Sequence, residues 1–167
     1  MRFVFCQIGQ EKKIWKTAEI WRRKMKVAVI DGQGGGLGRA TIEKIKAFFG
    51  ERLEIIALGT NSLATSNMMK GGAHAGATGE NSIKVMSQKV DVIIGPMAIL
   101  IANSMMGEIT PQMAEAVASS NAKKIVFPLN RCNVRIVGTK DFKVSDMISD
   151  VIEELNLILN SEKWEED

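Results

Sequence analysis

The sequence predicts a three-layer α/β fold, a mostly parallel sheet of about five strands with helices on both faces. Three observations carry this. The runs Val27 to Ile30, Leu53 to Leu58, Asp91 to Gly95 and Lys124 to Leu129 have continuous apolar stretches, as in strands buried on both faces. Segments with apolar residues at helical spacing separate them. The first run passes through a glycine-rich turn into such a segment, the start of the crossover that parallel pairing needs.

Taken in order, the chain opens with a leader over residues 1–24. Its apolar run, Phe3 to Cys6, is too short for a secretory signal, which needs about 7–15 residues. Ile14, Ala18 and Trp21 can line one face of a short amphipathic helix. Alternatively, Trp-Arg-Arg-Lys before Met25 is the translation of a purine-rich ribosome-binding stretch, and Met25 is the true start. The domain then spans 25–160. Lys26 to Ala40, KVAVIDGQGGGLGRA, joins the first strand to a helix carrying Leu37, Ala40, Thr41, Ile45 and Phe48, and Gly50 stops that helix. Leu53 to Leu58 completes a β-α-β unit with a right-handed crossover.

Residues 61–90 read as helix, loop, helix. Leu63, Met68 and Met69 form the first apolar face, GGAHAGATGEN an irregular glycine-rich loop of the kind that covers a site, and Ile83, Met86 and Val90 the second face. His74 in that loop reads as a solvated residue, since no partner spacing supports catalysis. The third strand ends at Pro96. MAILIANSMMGEI is apolar all round and belongs to the interior or to a subunit interface. Thr110-Pro111 starts a helix with Met113, Ala116 and Val117 inward. A fifth strand is expected at Val134 to Val137. Only Asn130 to Asn133 separates it from the fourth, so the two form an antiparallel hairpin or one bent strand. A final helix from about Ser145 to Leu159 buries Met147, Ile148, Val151, Ile152, Leu155 and Leu159, and 161–167 is an acidic tail.

Composition narrows the function classes. The chain's 167 residues, 46% hydrophobic and 25% charged, suit one globular domain, and no apolar run approaches the ~20 residues of a membrane span. The leader holds seven of the 22 Lys+Arg and two of the 19 Asp+Glu, leaving 15 against 17, net −2, for residues 25–167. The overall +3 therefore comes from the leader, and no nucleic-acid-binding face is expected on the domain. Two cysteines, Cys6 and Cys132, point to a reducing, cytoplasmic compartment rather than a disulfide framework. One histidine leaves no His/Cys metal set.

The candidate site is the edge of the sheet beyond the carboxyl ends of the strands, where ligands of open α/β sheets bind. Four stretches converge there: Asp31, Gly32, Gln33, Gly34, Gly35, Gly36, Leu37 and Gly38; Thr60 and Asn61; Gly95 with Pro96; and Asn130 with Arg131. Lacking a Cβ, the glycines let the backbone turn sharply and approach a ligand, and the helix N-terminus beyond them suits a phosphate. Their spacing is not G-x-G-x-x-G. Gly32, Gly36 and Gly38 instead give G-x-x-x-G-x-G, which resembles the cofactor loop of short-chain dehydrogenases. On the alternative reading the glycines only make a tight strand-to-helix crossing. The dehydrogenase resemblance implies cofactor binding, NAD(P) or another nucleotide. It does not extend to the chemistry, because those enzymes use a tyrosine and this chain has none. No G-K-S or G-K-T of a Walker-type loop follows any glycine run.

Three residues stay open. Asp31 beside a phosphate loop repels the ligand unless it holds a metal ion, bonds a hydroxyl or takes N–H groups of the loop. Thr60 or Asn61 can bond a ribose or base, or Asn61 and Ser62 are helix caps; the acidic residue that NAD-binding units carry at this point is missing. Arg131 is a phosphate or carboxylate partner or a surface ion pair, and Cys132 a nucleophile or a small buried thiol.

Together, VIDGQGGGLG, IIALGTNSLATS, GATGEN, DVIIGP, ANSMMGEITPQMAEAVASS and PLNRCNVRIVG resemble a family of short bacterial proteins known as domain of unknown function 3842, over nearly all of residues 25–140. The resemblance implies a cytoplasmic protein with a Rossmann-like domain and brings no catalytic residues. The function expected is binding of a nucleotide or dinucleotide at the glycine loop. Its rivals are a non-enzymatic protein that forms a homodimer or partner contact through Met97 to Met106, and an enzyme acting on a small phosphorylated or carboxylate substrate through Asp31 and Arg131.

Overall fold

β1 (Met25–Asp31) is the central strand because Met25 and Val27 to Ile30 are buried on both of its faces. The computed structural model describes residues 23–128, 134–139 and 143–161. After β1 come α1 (Gly36–Phe49), β2 (Leu53–Gly59), α2 (Ser62–Lys70), β3 (Ala75–Thr78), α3 (Glu80–Ser87), β4 (Val92–Pro96), two single 3-10 turns (Met97–Leu100 and Met105–Gly107), α4 (Pro111–Ser119), β5 (Lys123–Phe127) and α5 (Val144–Ser161). The five strands form one sheet in the order β3-β2-β1-β4-β5, and every pairing is parallel.

Alternate residues of the strands feed two apolar layers. Val27, Val29, Ile55, Ala57, Val92 and Ile94 pack with Ile42, Ile45 and Phe49 of α1, Met68 of α2 and the Met147 to Ile158 stripe of α5. On the other face Ala28, Ile30, Ile56, Leu58 and Ile93 pack with Ile83 of α3 and Met113, Ala114 and Val117 of α4. Winding toward β3 uses helices of one layer and winding toward β5 those of the other, as right-handed crossovers require. Chain direction across the sheet therefore reverses between β1 and β4. At that reversal the connections leave their strand ends on opposite faces and open a crevice.

Several expectations need correction. The α/β sheet of about five strands is there as expected and is wholly parallel, without the expected antiparallel hairpin among the described residues. Its fifth strand is Ala75–Thr78, registered on Ile56 to Gly59 of β2, within the loop expected to cover a site. Val134 to Ile136 are irregular, a turn follows at Val137 and Gly138, and no antiparallel pairing occurs among the described residues. Small residues without alternation hide an edge strand from a search for apolar runs. On α1 the stripe Gly38, Ile42, Ile45 closes on Phe49, leaving Phe48 outward. On α2 the inward residues are Ala64, Thr65 and Met68, with Leu63 and Met69 exposed. On α4 Ala114 is buried where Ala116 was expected. On α5 Ile158 is buried and Leu159 only half-buried. The apolar segment after β4 is divided: Ile99 and Ile109 are buried, whereas Met106 is 97% exposed.

His74 is anchored rather than simply solvated. At the amino end of the sheet its Nδ1 accepts the Ile55 N–H at 2.9 Å, and its Nε2 lies 3.0 Å from Glu51 Oε2 and 2.9 Å from Lys46 Nζ. Lys46, bonded to Glu51 Oε1 at 2.5 Å, is the first cause and His74 the second of a Glu51 pKa lowered to about 2 from an ordinary 4.5. A carboxyl depressed in the folded state contributes stability above its ordinary pKa and loses it as pH falls toward the folded value. Glu51→Gln should therefore flatten the fall in urea midpoint between pH 4.5 and about 2. Because the Glu51 side chain is exposed, the difference should shrink in high salt. A Glu51→Gln midpoint that falls as steeply as wild type would refute the assignment.

Candidate functional site

The crevice between the ends of β1 and β4 is a cleft of about 340 Å³ lined by Asp31 to Leu37 on one side and by Pro96, Ala98, Met105 and Val144 on the other. The glycine loop builds the first wall. Gln33 (φ 52°) and Gly35 (φ 66°) are left-handed, and the Gly35 N–H closes the turn on Gly32 O at 2.9 Å. Gly35 is the N-cap of α1 and has no side chain to offer. Asp31 fills that role from the strand: its Oδ1 accepts the Gly32 N–H and its Oδ2 the Gly38 N–H, each at 2.8 Å. The N–H groups of Gly36 and Leu37, in the same first turn, have no hydrogen-bond partner among the described residues.

Asp31 is 5% exposed. Burial pushes its pKa above the ordinary carboxylate value, the Gly38 and Gly32 amides pull it down, and the nearby Glu108 charge pushes it up again, with a raised net result. Its share of stability is thus present below the ordinary value and declines as pH rises through the folded one.

Glu108, which sequence reasoning did not single out, ties the wall to its surroundings. Its Oε2 accepts the Gln33 N–H at 2.8 Å, Asn61 Nδ2 at 3.0 Å and the Thr60 hydroxyl. Burial raises its pKa, but these three donors outweigh that and hold it below the ordinary range. Its contribution is present above that range and lost on acidification through the depressed value. One signal could have found it: between Val92 and Ala114, Glu108 is the single Asp, Glu, Lys, Arg or His.

The expected site residues therefore divide. Asp31 to Leu37 and Pro96 line the cleft. Gly38 gives its N–H to Asp31 and packs on Met68. Thr60 and Asn61 are engaged by Glu108, and Asn61 also caps α2 by accepting the Ala64 N–H at 2.9 Å. Gly95 is buried within β4, where a Cβ would stand 2.5 Å from Ile30 O. Asn130, Arg131 and Cys132 lie outside the described residues. Among the described residues no lysine or arginine lines the cleft, and no group of three His, Cys, Asp or Glu is placed to hold a metal ion.

The glycines differ in what they need. At Gly32 a Cβ would meet Glu108 and Thr60 at 2.7 Å, and at Gly35 it would meet Ala64 O at 2.6 Å. At Gly34 and Gly36 a Cβ would meet nothing within 4 Å, and neither has positive φ. Neither packing nor backbone requires glycine there, and both residues line the cleft. In urea denaturation Gly36→Ala should be neutral or stabilise by up to about 1 kcal/mol, because a compatible Gly→Ala change restricts the unfolded chain. Gly35→Ala should cost more than about 1 kcal/mol, for left-handed strain and the Ala64 clash. Equal losses at both positions would contradict this division.

Residues 26–160 match the family described as Domain of unknown function (DUF3842), and the chain belongs to that family. No curated protein matches it. Similar solved structures include a universal stress protein in complex with cAMP, at 13% identity and TM-score 0.38, and the universal stress protein from Archaeoglobus fulgidus, at 14% and 0.37. Each comparison covers 63% of this chain and 98% of the other. Likenesses of this size transfer no ligand to this chain.

Proposed function

We propose that this DUF3842 protein binds a nucleotide in the β1–β4 cleft, with a phosphate on the free N–H groups of Gly36 and Leu37. The observation that carries the reading is the pair of N–H groups at Gly36 and Leu37, unpartnered among the described residues, in a wall of the cleft at the topological reversal where Gly34 and Gly36 leave open space. The helix N-terminus adds a partial positive charge at the same place. Leu37, Pro96, Ala98, Met105 and Val144 supply an apolar wall for a base.

Volume and charge limit the ligand. About 340 Å³ is at the low end of ligand clefts, which run from about 300 to 1,000 Å³, and suits one nucleotide or half of a dinucleotide such as NAD(P). With Asp31 and Glu108 nearby and no cation among the described lining residues, a single phosphate is better accommodated than a triphosphate. A reducing cytoplasm, the compartment the cysteine content suggests, supplies such ligands.

A thermal-shift panel of nucleoside monophosphates and triphosphates, NAD(H), NADP(H), flavin mononucleotide and S-adenosylmethionine tests the reading. A nucleotide at 100 times its dissociation constant adds about 2.7 kcal/mol of stability. Gly36→Asp should keep the fold, since an acidic residue is favourable in a first helical turn, and should abolish the shift by occupying the phosphate position. Absence of a shift with every nucleotide, or a shift that Gly36→Asp leaves intact, would overturn the proposal.

A further inference from the structure

We infer that Glu108 reads the sugar of the bound nucleotide and makes the cleft selective for ribonucleotides over 2′,3′-dideoxynucleotides. This rests on the nucleotide reading above and adds the ligand class. Nucleotide-binding units of open α/β sheets hold ribose hydroxyls with an acidic residue near the end of the second strand. Here β2 is followed by Thr60 and Asn61, which carry no charge. The fold brings a carboxylate to that point from elsewhere: Glu108, 47 positions beyond Asn61, meets both side chains through Oε2.

The geometry suits an acceptor of hydroxyl protons. Three donors converge on Oε2 and hold the carboxylate in place, while Oε1 has no partner among the described residues. A carboxylate only accepts hydrogen bonds, so its open oxygen favours a hydroxyl and repels a further phosphate. Glu108 is not itself a lining residue, but its Oε2 accepts the Gln33 N–H and stands beside Gly32, two lining residues of the loop that leads to the free Gly36 and Leu37 amides. Phosphate and sugar contacts thus fall along one loop.

The connection that delivers Glu108 is built at a cost. Met105 (φ 54°) and Met106 (φ 62°) are left-handed without being glycine, a conformation strained for such side chains, and Asn103 (φ 60°) takes the same conformation, which asparagine tolerates. Buried Ser104 donates to Ala98 O at 2.6 Å, and the Asn103 N–H to Ile109 O at 2.8 Å, fixing the doubled-back path. A connector needs no such course to join β4 to α4.

A purely structural role, in which Glu108 only latches this connection to the glycine loop, makes a different prediction. Binding of AMP, GMP, CMP and UMP, each beside its 2′,3′-dideoxy analogue, is measured by calorimetry on the full chain and on Glu108→Gln. Wild type should prefer the ribonucleotide by about tenfold or more, the value of a hydrogen bond to a charged acceptor. Glu108→Gln should bring the ratio of ribonucleotide to dideoxynucleotide affinity close to one, whatever it does to the affinity for both. Equal weakening of both forms by Glu108→Gln marks a latch and overturns the inference. So does a wild-type protein that binds both forms equally, a comparison that needs no variant. If the monophosphates bind in a Gly36-dependent way without sugar preference, only this inference fails; if none binds, the nucleotide reading fails with it.

Discussion

The buried carboxylate of Asp31 is the constraint on which the glycine loop depends. It ends the central strand, receives the Gly32 amide at the start of the turn and the Gly38 amide in the first turn of α1, and so closes the loop at both ends from one side chain. Hydrogen bonds to an ionised group contribute about 1.5–3 kcal/mol each, against a desolvation cost that the raised pKa registers. The loop cannot cap its own helix, because glycines supply no side chain. The strand does it for them, and in doing so uses one amide of the helix N-terminus while those of Gly36 and Leu37 have no partner among the described residues.

That arrangement gives the acidic residue beside the glycine loop a role within the fold. Of the roles open to Asp31, the structure shows bonding to the loop's own amides. The carboxylate then acts as part of the scaffold, bonding the loop at both of its ends. Glu108 extends the same principle outward. One oxygen gathers donors from the loops after β1 and β2, so two walls that belong to different β-α units are held at a fixed spacing by a third connection. The local charge, from Asp31 and Glu108, is negative.

Much of the fold was legible because it follows from local pattern. Continuous apolar runs marked β1, β2, β4 and β5, and helical spacing placed all five helices, with Thr110-Pro111 and Gly50 marking ends that the structure also uses. The misreadings have local causes as well. Ala75 to Thr78 form an edge strand from small residues whose extended state is imposed by β2, whereas Val134 to Val137 have strand-like composition and pair with no strand among the described residues. Phe48 and Phe49 differ by one position in a stripe about three residues wide, so only packing tells which is inward.

By itself the sequence determined the α/β class, the family and the glycine loop between β1 and α1, because each is a matter of neighbours within a few positions. The tertiary structure decided the strand order, the reversal between β1 and β4, the two amides that Asp31 takes and the meeting of Glu108 with Thr60 and Asn61. These depend on which face each crossover packs against and on chain segments up to 75 positions apart. Hydrophobic period carries no record of such separations; only the packed sheet brings the groups within hydrogen-bond reach.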